Sequence, residues 1–448
     1  MNHPGTRVLR LDALARVEGE AALHLRVQDG SVTETRLRIY EPPRFFEALL
    51  TGRGHTEPPD ITSRICGICP VAYQMSACQA IENACGVAVD GPLADLRRLL
   101  YCGEWIESHA LHIYLLHAPD FLGRSDVVEL ARDHRPSVER GLRLKQAGNA
   151  ILELLGGRPI HPVNVRVGGF YRTPAPDDLR PLQARLLQAR EDALETVRWV
   201  ATFSFPDAVC DHDLLALHDP GRYAIDTGTP AAMAAQGQEA TLSGFPLSDF
   251  EEHVREHQVP HSTALTAALD GRRFLTGPLA RYAINGRWLH PAAAQAARNA
   301  GLGDPTAGAI CHNPFRSIVV RAVEVVHAVE EALRIIDGYE RPARPAIEVP
   351  PHESSGVGAT EAPRGLLYHR YTLTEDGTLT GTRIIPPTAQ NQTAIEEDVR
   401  RVVQTRLESD GPAPDDDELT HLCERAIRNH DPCISCAAHF LDLTVERT

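Results

Sequence analysis

Four cysteines in two C-x-x-C pairs are the residues of this chain best able to do chemistry. The first pair lies in Arg64-Ile65-Cys66-Gly67-Ile68-Cys69-Pro70, the second in Asp431-Pro432-Cys433-Ile434-Ser435-Cys436. Two intervening residues let both sulfurs of a pair turn toward one metal, and Gly67 permits a tight turn. Thiolates are soft ligands that suit zinc, nickel and iron. Taken alone, two such pairs read as a structural zinc site, tetrahedral and closed. Nearly the whole sequence separates them, however, whereas zinc ribbons keep their pairs close. One metal held by all four would close a site across the entire fold. The other six cysteines, Cys78, Cys85, Cys102, Cys210, Cys311 and Cys423, are scattered singly and read as small buried side chains.

The elements that must position these pairs are mostly helices. Apolar residues recur at three-and-four spacing over 93–117, 139–155, 179–202 and 315–339. The last of these has a stripe wide enough to be buried on more than one side. Short alternation over 7–14 and 21–27 reads as strand. The stretch 368–387 alternates and turns at Glu375-Asp376-Gly377, which reads as a hairpin. Two helices follow, near 395–408 and 417–429. The expected fold class is therefore α+β and predominantly helical, a long-helix bundle with β-containing N- and C-terminal regions. The chain divides into a β/loop region over 1–60, a helical core over 61–340 with the first pair, and an α+β region over 341–439 with the second. A tail of 440–448 ends it, and the whole reads as a single large domain.

Composition excludes several functions. The formal charge is −15 and no basic stripe is visible, which argues against nucleic acid. No stretch reaches the roughly 20 apolar residues of a spanning helix. The N-terminus lacks a signal-peptide pattern, so a cytoplasmic protein is the default expectation. No glycine-rich dinucleotide fingerprint is present.

The two cysteine boxes resemble the signature boxes of [NiFe]-hydrogenase large subunits. Other matches follow in the same order. Arg16-Val17-Glu18-Gly19 resembles the family's R-I-E-G box, His161-Pro162 with Gly168-Gly169 another segment, and Ala362-Pro363-Arg364-Gly365 its A-P-R-G box. His439 matches the histidine after which the family's precursor is cut. Cys69-Pro70-Val71-Ala72-Tyr73 and Pro386-Pro387-Thr388-Ala389-Gln390-Asn391 look most like the cytoplasmic, nucleotide-linked and sulfhydrogenase branch.

That resemblance implies a reversible oxidation of H2 and reduction of protons. Cys66 and Cys433 would be terminal ligands of nickel, and Cys69 and Cys436 would bridge nickel to an iron carrying carbonyl and cyanide ligands. Cys433, Glu18 and Arg364 would be catalytic, with Glu18 relaying a proton from Cys433. Pro363, Arg364 and Thr388 would bind the cofactor. Glu47 and His439 would hold a magnesium ion, with a backbone carbonyl near Arg383. Electrons would leave through iron–sulfur clusters on a small partner subunit, and the onward partners implied are NAD(P)-reducing diaphorase subunits. Maturation factors and an endopeptidase would insert the metals and remove 440–448. Tyr73 stands where many respiratory members have a histidine, and Ser108 where many have an aspartate. The surroundings of Arg364 are thus less acidic than in those members.

Overall fold

Pro70, directly after Cys69, starts the first long helix, α1 (Pro70–Ala84). A proline fits the first turn because its missing N–H has no intrahelical partner there. Thirteen of the helix's residues are buried, the polar Gln74, Ser76 and Glu82 among them, so it has no solvent-facing side. This explains why periodicity fails to reveal it: a helix buried all round carries no apolar stripe opposite a polar one.

The computed structural model describes residues 6–209, 211–234 and 242–438. The expected long helices are present as α2 (Gly91–Leu111), α3 (Val127–Gly156), α4 (Pro176–Ala201) and α5 (Ser317–Asp337). α2 runs on into a π-helical segment, His112–His117, and a final turn, Ala118–Phe121. α2 packs on α3 and α5, and α5 packs on α4. α2 and α3 cross where each has a glycine. A Cβ on Gly148 would lie 2.6 Å from the Gly103 carbonyl oxygen, so the crossing needs both glycines.

The N-terminal sheet has order β1-β2-β3, from β1 (Thr6–Leu11), β2 (Ala21–Gln28) and β3 (Ser31–Ile39), all antiparallel. Its inner face buries Leu9, Leu11, Leu23, Leu25 and Leu37 against the C-terminal helices α6 (Pro387–Glu408) and α7 (Asp416–Arg428). The same alternation gathers Arg10, Arg26, Arg36 and Arg38 around Glu34 on the outer face. Cationic side chains are therefore less dispersed than the sequence suggests. They are spread along two hairpins, and only strand pairing brings them together.

The C-terminal hairpin forms as expected, but it belongs to a three-stranded sheet. This is β4 (Ser354–Ala362), β5 (Gly365–Leu373) and β6 (Leu379–Ile385), in that order. β4 lies directly on α1. A Cβ on Gly356 would lie 2.2 Å from the Ala84 nitrogen, so backbone meets backbone there. This contact fixes the β4–β5 turn, with Arg364, relative to the helix that follows Cys69. The expected helical stretch 61–340 is interrupted by strands at Asp213–His218, Thr229–Met233, Leu242–Gly244 and Phe274–Leu275, which form one small sheet. α6 starts earlier than expected, with Pro387 in its first turn.

Candidate metal centre

The two cysteine pairs meet. Their four Sγ atoms lie within 4.8 Å of one another, a grouping able to hold a metal ion. Cys66 is 3.5 Å from Cys433, and Cys69 is 3.5 Å from Cys436. No disulfide joins them, and all four are buried. The first pair is presented by a rigid element. Cys69 precedes α1, and Glu104 of α2 accepts from the free amides of Val71 and Ala72 at 2.6 and 3.1 Å. Those amides belong to the first helical turn, which has no intrahelical acceptor.

The second pair sits in a loop and a single turn, Ile434–Ala437. Asp431 adopts φ 51°, a left-handed conformation that turns the chain into Pro432. Thr388 Oγ1, at the start of α6, accepts from the Cys433 amide at 3.0 Å. Glu18 lies alongside in a parallel bridge to Cys433. Its backbone carbonyl accepts from the Ile434 amide, and its Oε2 accepts from the Ser435 amide, each at 3.0 Å. The same Oε2 is 3.0 Å from Cys433 Sγ. Ser435 Oγ then donates to Glu41 at 2.9 Å. Glu41 is a residue that the motifs do not single out.

Arg364 is 3% exposed. Its Nε donates to the Asp431 carbonyl at 2.7 Å and its Nη2 to Asp431 Oδ1 at 3.2 Å. Its Nη1 is buried and makes no hydrogen bond among the described residues. That donor fits an acceptor on a group held by the cysteines, because a buried guanidinium N–H is costly to leave unmatched. Sequence reasoning misses what holds this turn. Arg281 donates to the Ala362 and Pro363 carbonyls at 2.9 and 3.0 Å, and is itself gripped by Glu324 and Glu361. A lone arginine in Leu279-Ala280-Arg281 carries no motif, so only the fold reveals it.

Electrostatics favour a cation among the sulfurs. Burial pushes the Cys433 and Cys436 thiols above the ordinary cysteine range. Hydrogen bonds from Cys433 and Cys436 pull Cys66 down, and the Arg364 charge adds to this. Four thiolates in one dry pocket need a bound cation to stay deprotonated. Tyr73 stays a neutral phenol, because burial and then the nearby sulfurs raise it.

Glu47 lies in the short helix Phe46–Leu50 beside β6. Its Oε1 accepts from the Ile384 amide at 2.7 Å, and Arg383 Nη1 is 4.0 Å from its Oε2. His439 and the tail 440–448 lie outside the described residues, as does Cys210.

Sulfhydrogenase 1 subunit alpha of Pyrococcus furiosus is 33% identical to this chain over 441 residues, covering 97% of this chain and 98% of the relative. The chain belongs to the nickel-dependent hydrogenases. The family model of nickel-dependent hydrogenase matches residues 44–137 and 314–439, which hold both cysteine pairs. Sulfhydrogenase 2 subunit alpha of the same organism is 31% identical, with 97% of this chain and all of the relative covered. Among solved structures, an NAD+-reducing [NiFe]-hydrogenase in the H2-reduced state superposes with a TM-score of 0.86 at 27% identity. It covers 97% of this chain and 100% of that one. A Dm. baculatum [NiFeSe]-hydrogenase shares the fold at a TM-score of 0.77 and 21% identity. This hydrogenase is thus an oxidoreductase acting on hydrogen, with the large-subunit fold and a four-cysteine metal group. None of its described helices is long and apolar enough to cross a membrane.

Proposed function

We propose that this chain is the catalytic subunit of a [NiFe]-hydrogenase, in which Cys433 and Glu18 carry the first proton steps. The observation that carries this reading is the carboxylate oxygen of Glu18 at 3.0 Å from Cys433 Sγ, beside the four-sulfur group. The thiolates of Cys66, Cys69, Cys433 and Cys436 would hold the nickel and iron. The bound metal pair supplies the electron acceptor that lets H2 split unevenly. Cys433 Sγ would take the proton, with the Glu18 carboxylate oxygen 3.0 Å away. Glu18 Oε2, within hydrogen-bond reach, receives it next. Ser435 and Glu41 continue outward from Glu18, linked by the amide and hydroxyl of one residue.

Arg364 keeps a fixed positive charge over the group, and its unmatched Nη1 suits the iron's cyanide. Pro363 and Thr388 complete the cofactor's surroundings. Glu47 and His439 would hold a magnesium ion with a carbonyl near Arg383, since that ion prefers oxygen and keeps several waters. Electrons pass to an iron–sulfur small subunit and on to NAD(P) through diaphorase subunits. The similarity to an NAD+-reducing [NiFe]-hydrogenase supports this reading. The tail 440–448 is removed by an endopeptidase after maturation factors have loaded the metals.

Metal analysis of the complex, purified anaerobically, tests the proposal. About one nickel per chain, with iron in excess of the partner's clusters and infrared bands from diatomic ligands, is the expected result. Zinc without nickel would overturn it in favour of a structural site.

A further inference from the structure

We infer that Asp120 is a positioning residue for proton transfer at Cys433. Its buried carboxylate clamps the turn that carries Glu18 to the segment that carries the second cysteine pair. The inference rests on the reading of Glu18 as the proton relay.

Asp120 lies in the turn Ala118–Phe121, at the end of the run that begins with α2. Its Oδ2 accepts from Arg428 Nε at 2.7 Å and its Oδ1 from Arg428 Nη2 at 2.9 Å. Arg16 Nη2 reaches the same Oδ1 at 2.5 Å. One carboxylate therefore binds guanidinium groups from opposite ends of the sequence. The arginines also grip backbone. Arg428 Nη1 donates to the Ala15 carbonyl at 2.8 Å, and Arg16 Nη1 to the Leu116 carbonyl at 2.7 Å. The side chains of Asp120, Arg428 and Arg16 are 3%, 2% and 16% exposed. In so dry a place water cannot replace a missing partner, so the pairing fixes position.

The clamp acts on both partners of the proton contact. Arg16 is two residues before Glu18, and Arg428 is five before Cys433. Arg16 holds φ 58°, a left-handed conformation that a side-chain-bearing residue keeps only when its surroundings over-determine it. The bonds to Asp120 and Leu116 do this. Proton transfer needs heavy atoms within about 2.6–3.2 Å, so a shift of either segment breaks the relay. Among the described residues, other buried pairs, such as Arg97–Glu82, join no two of these segments.

The test uses the matured complex with Asp120→Asn, Asp120→Glu, Arg16→Gln, Glu18→Gln and the double variant Asp120→Asn/Glu18→Gln. Amide hydrogen exchange over residues 13–20 and 428–436 is read by mass spectrometry. Exchange of deuterium gas with protons is read alongside nickel content. Asp120→Asn is expected to keep nickel, to speed amide exchange in both segments, and to slow gas exchange roughly tenfold to a hundredfold. Asp120→Glu recovers most of the rate, and the double variant matches Glu18→Gln alone. Arg16→Gln, less buried, gives the same signature if Asp120→Asn does not mature. Unchanged amide exchange in both segments, or additive losses in the double variant, would overturn the clamp. Normal gas exchange in Glu18→Gln would instead overturn the relay reading, and amide exchange would still decide the clamp.

Discussion

The two cysteine pairs reach the same place by different means. The first is mounted on a helix: Pro70 starts α1 directly after Cys69, and Glu104 caps its first amides. The second has only a single turn of its own and is fastened residue by residue. Arg428 pairs with Asp120, and its carbonyl accepts from His112 at 2.8 Å. The Asn429 carbonyl accepts from Ser317 and Arg321, His430 meets Asp398, and Asp431 meets Arg364. A helix end gives a site local rigidity from backbone bonds. A loop can equal it only by borrowing partners from distant elements, and here α5, α6, the β4–β5 turn and the segment that follows α2 all lend them. A segment built this way can dock last, because nothing in its own sequence holds its shape.

The largest effect that would sharpen the comparison comes from Cys433→Ala. It removes a sulfur of the cluster and the partner of Glu18 together. H2 uptake is expected to fall below roughly a thousandth of the parent, a loss typical of removing a group that acts in concert with others. Turnover that survived would show that the second pair does not carry the reactive sulfur.

Legibility follows the same division. The cysteine boxes, Glu18 and Arg364 are readable because each stands in a short motif, and the structure brings Glu18 and Arg364 to the sulfurs or to their loop. The long amphipathic helices are readable from their stripes. Helix α1 is not, because burial on all sides erases periodicity. Strand β4 escapes because Ser354-Ser355-Gly356-Val357-Gly358 looks like a loop; its glycines are there for close approach to α1. The partners of the second pair escape for another reason. Asp120, Arg281 and Asp398 act through long-range pairing, and a single charged residue inside a helix carries no local sign of its partner.

The mounting of the first pair can be loosened on its own. Glu104→Ala leaves the Val71 and Ala72 amides buried without an acceptor. At about 1–3 kcal/mol for each of the two orphaned groups, the loss is roughly 2–6 kcal/mol. A lowered denaturant midpoint is the expected reading, with a smaller drop for Glu104→Gln, which keeps one acceptor oxygen. If Glu104→Ala were as stable as the parent, the helix end would hold the first pair without its cap, and the contrast with the second would widen.

The fastening of the second pair can be loosened by pH at Asp398, which is 2% exposed. His212 Nε2 donates to its Oδ1 at 2.8 Å, and His430 Nε2 to its Oδ2 at 3.0 Å. Burial alone would raise this carboxyl, but the two histidine bonds outweigh it and bring it down to about 2. The folded value lies below the unfolded one of about 3.9, so the ionised form stabilises the native state above that pH. The contribution is on the order of 2–3 kcal/mol at neutrality, and it is lost as pH falls from near 4 through 2. Asp398→Asn is therefore expected to melt below the parent at pH 7, with a gap that narrows steadily under pH 4. A gap of constant size would mean that the asparagine side chain fails for steric reasons rather than for its missing charge. In that case His430 would be fastened by shape, and the second pair would depend less on buried ions than its other partners indicate.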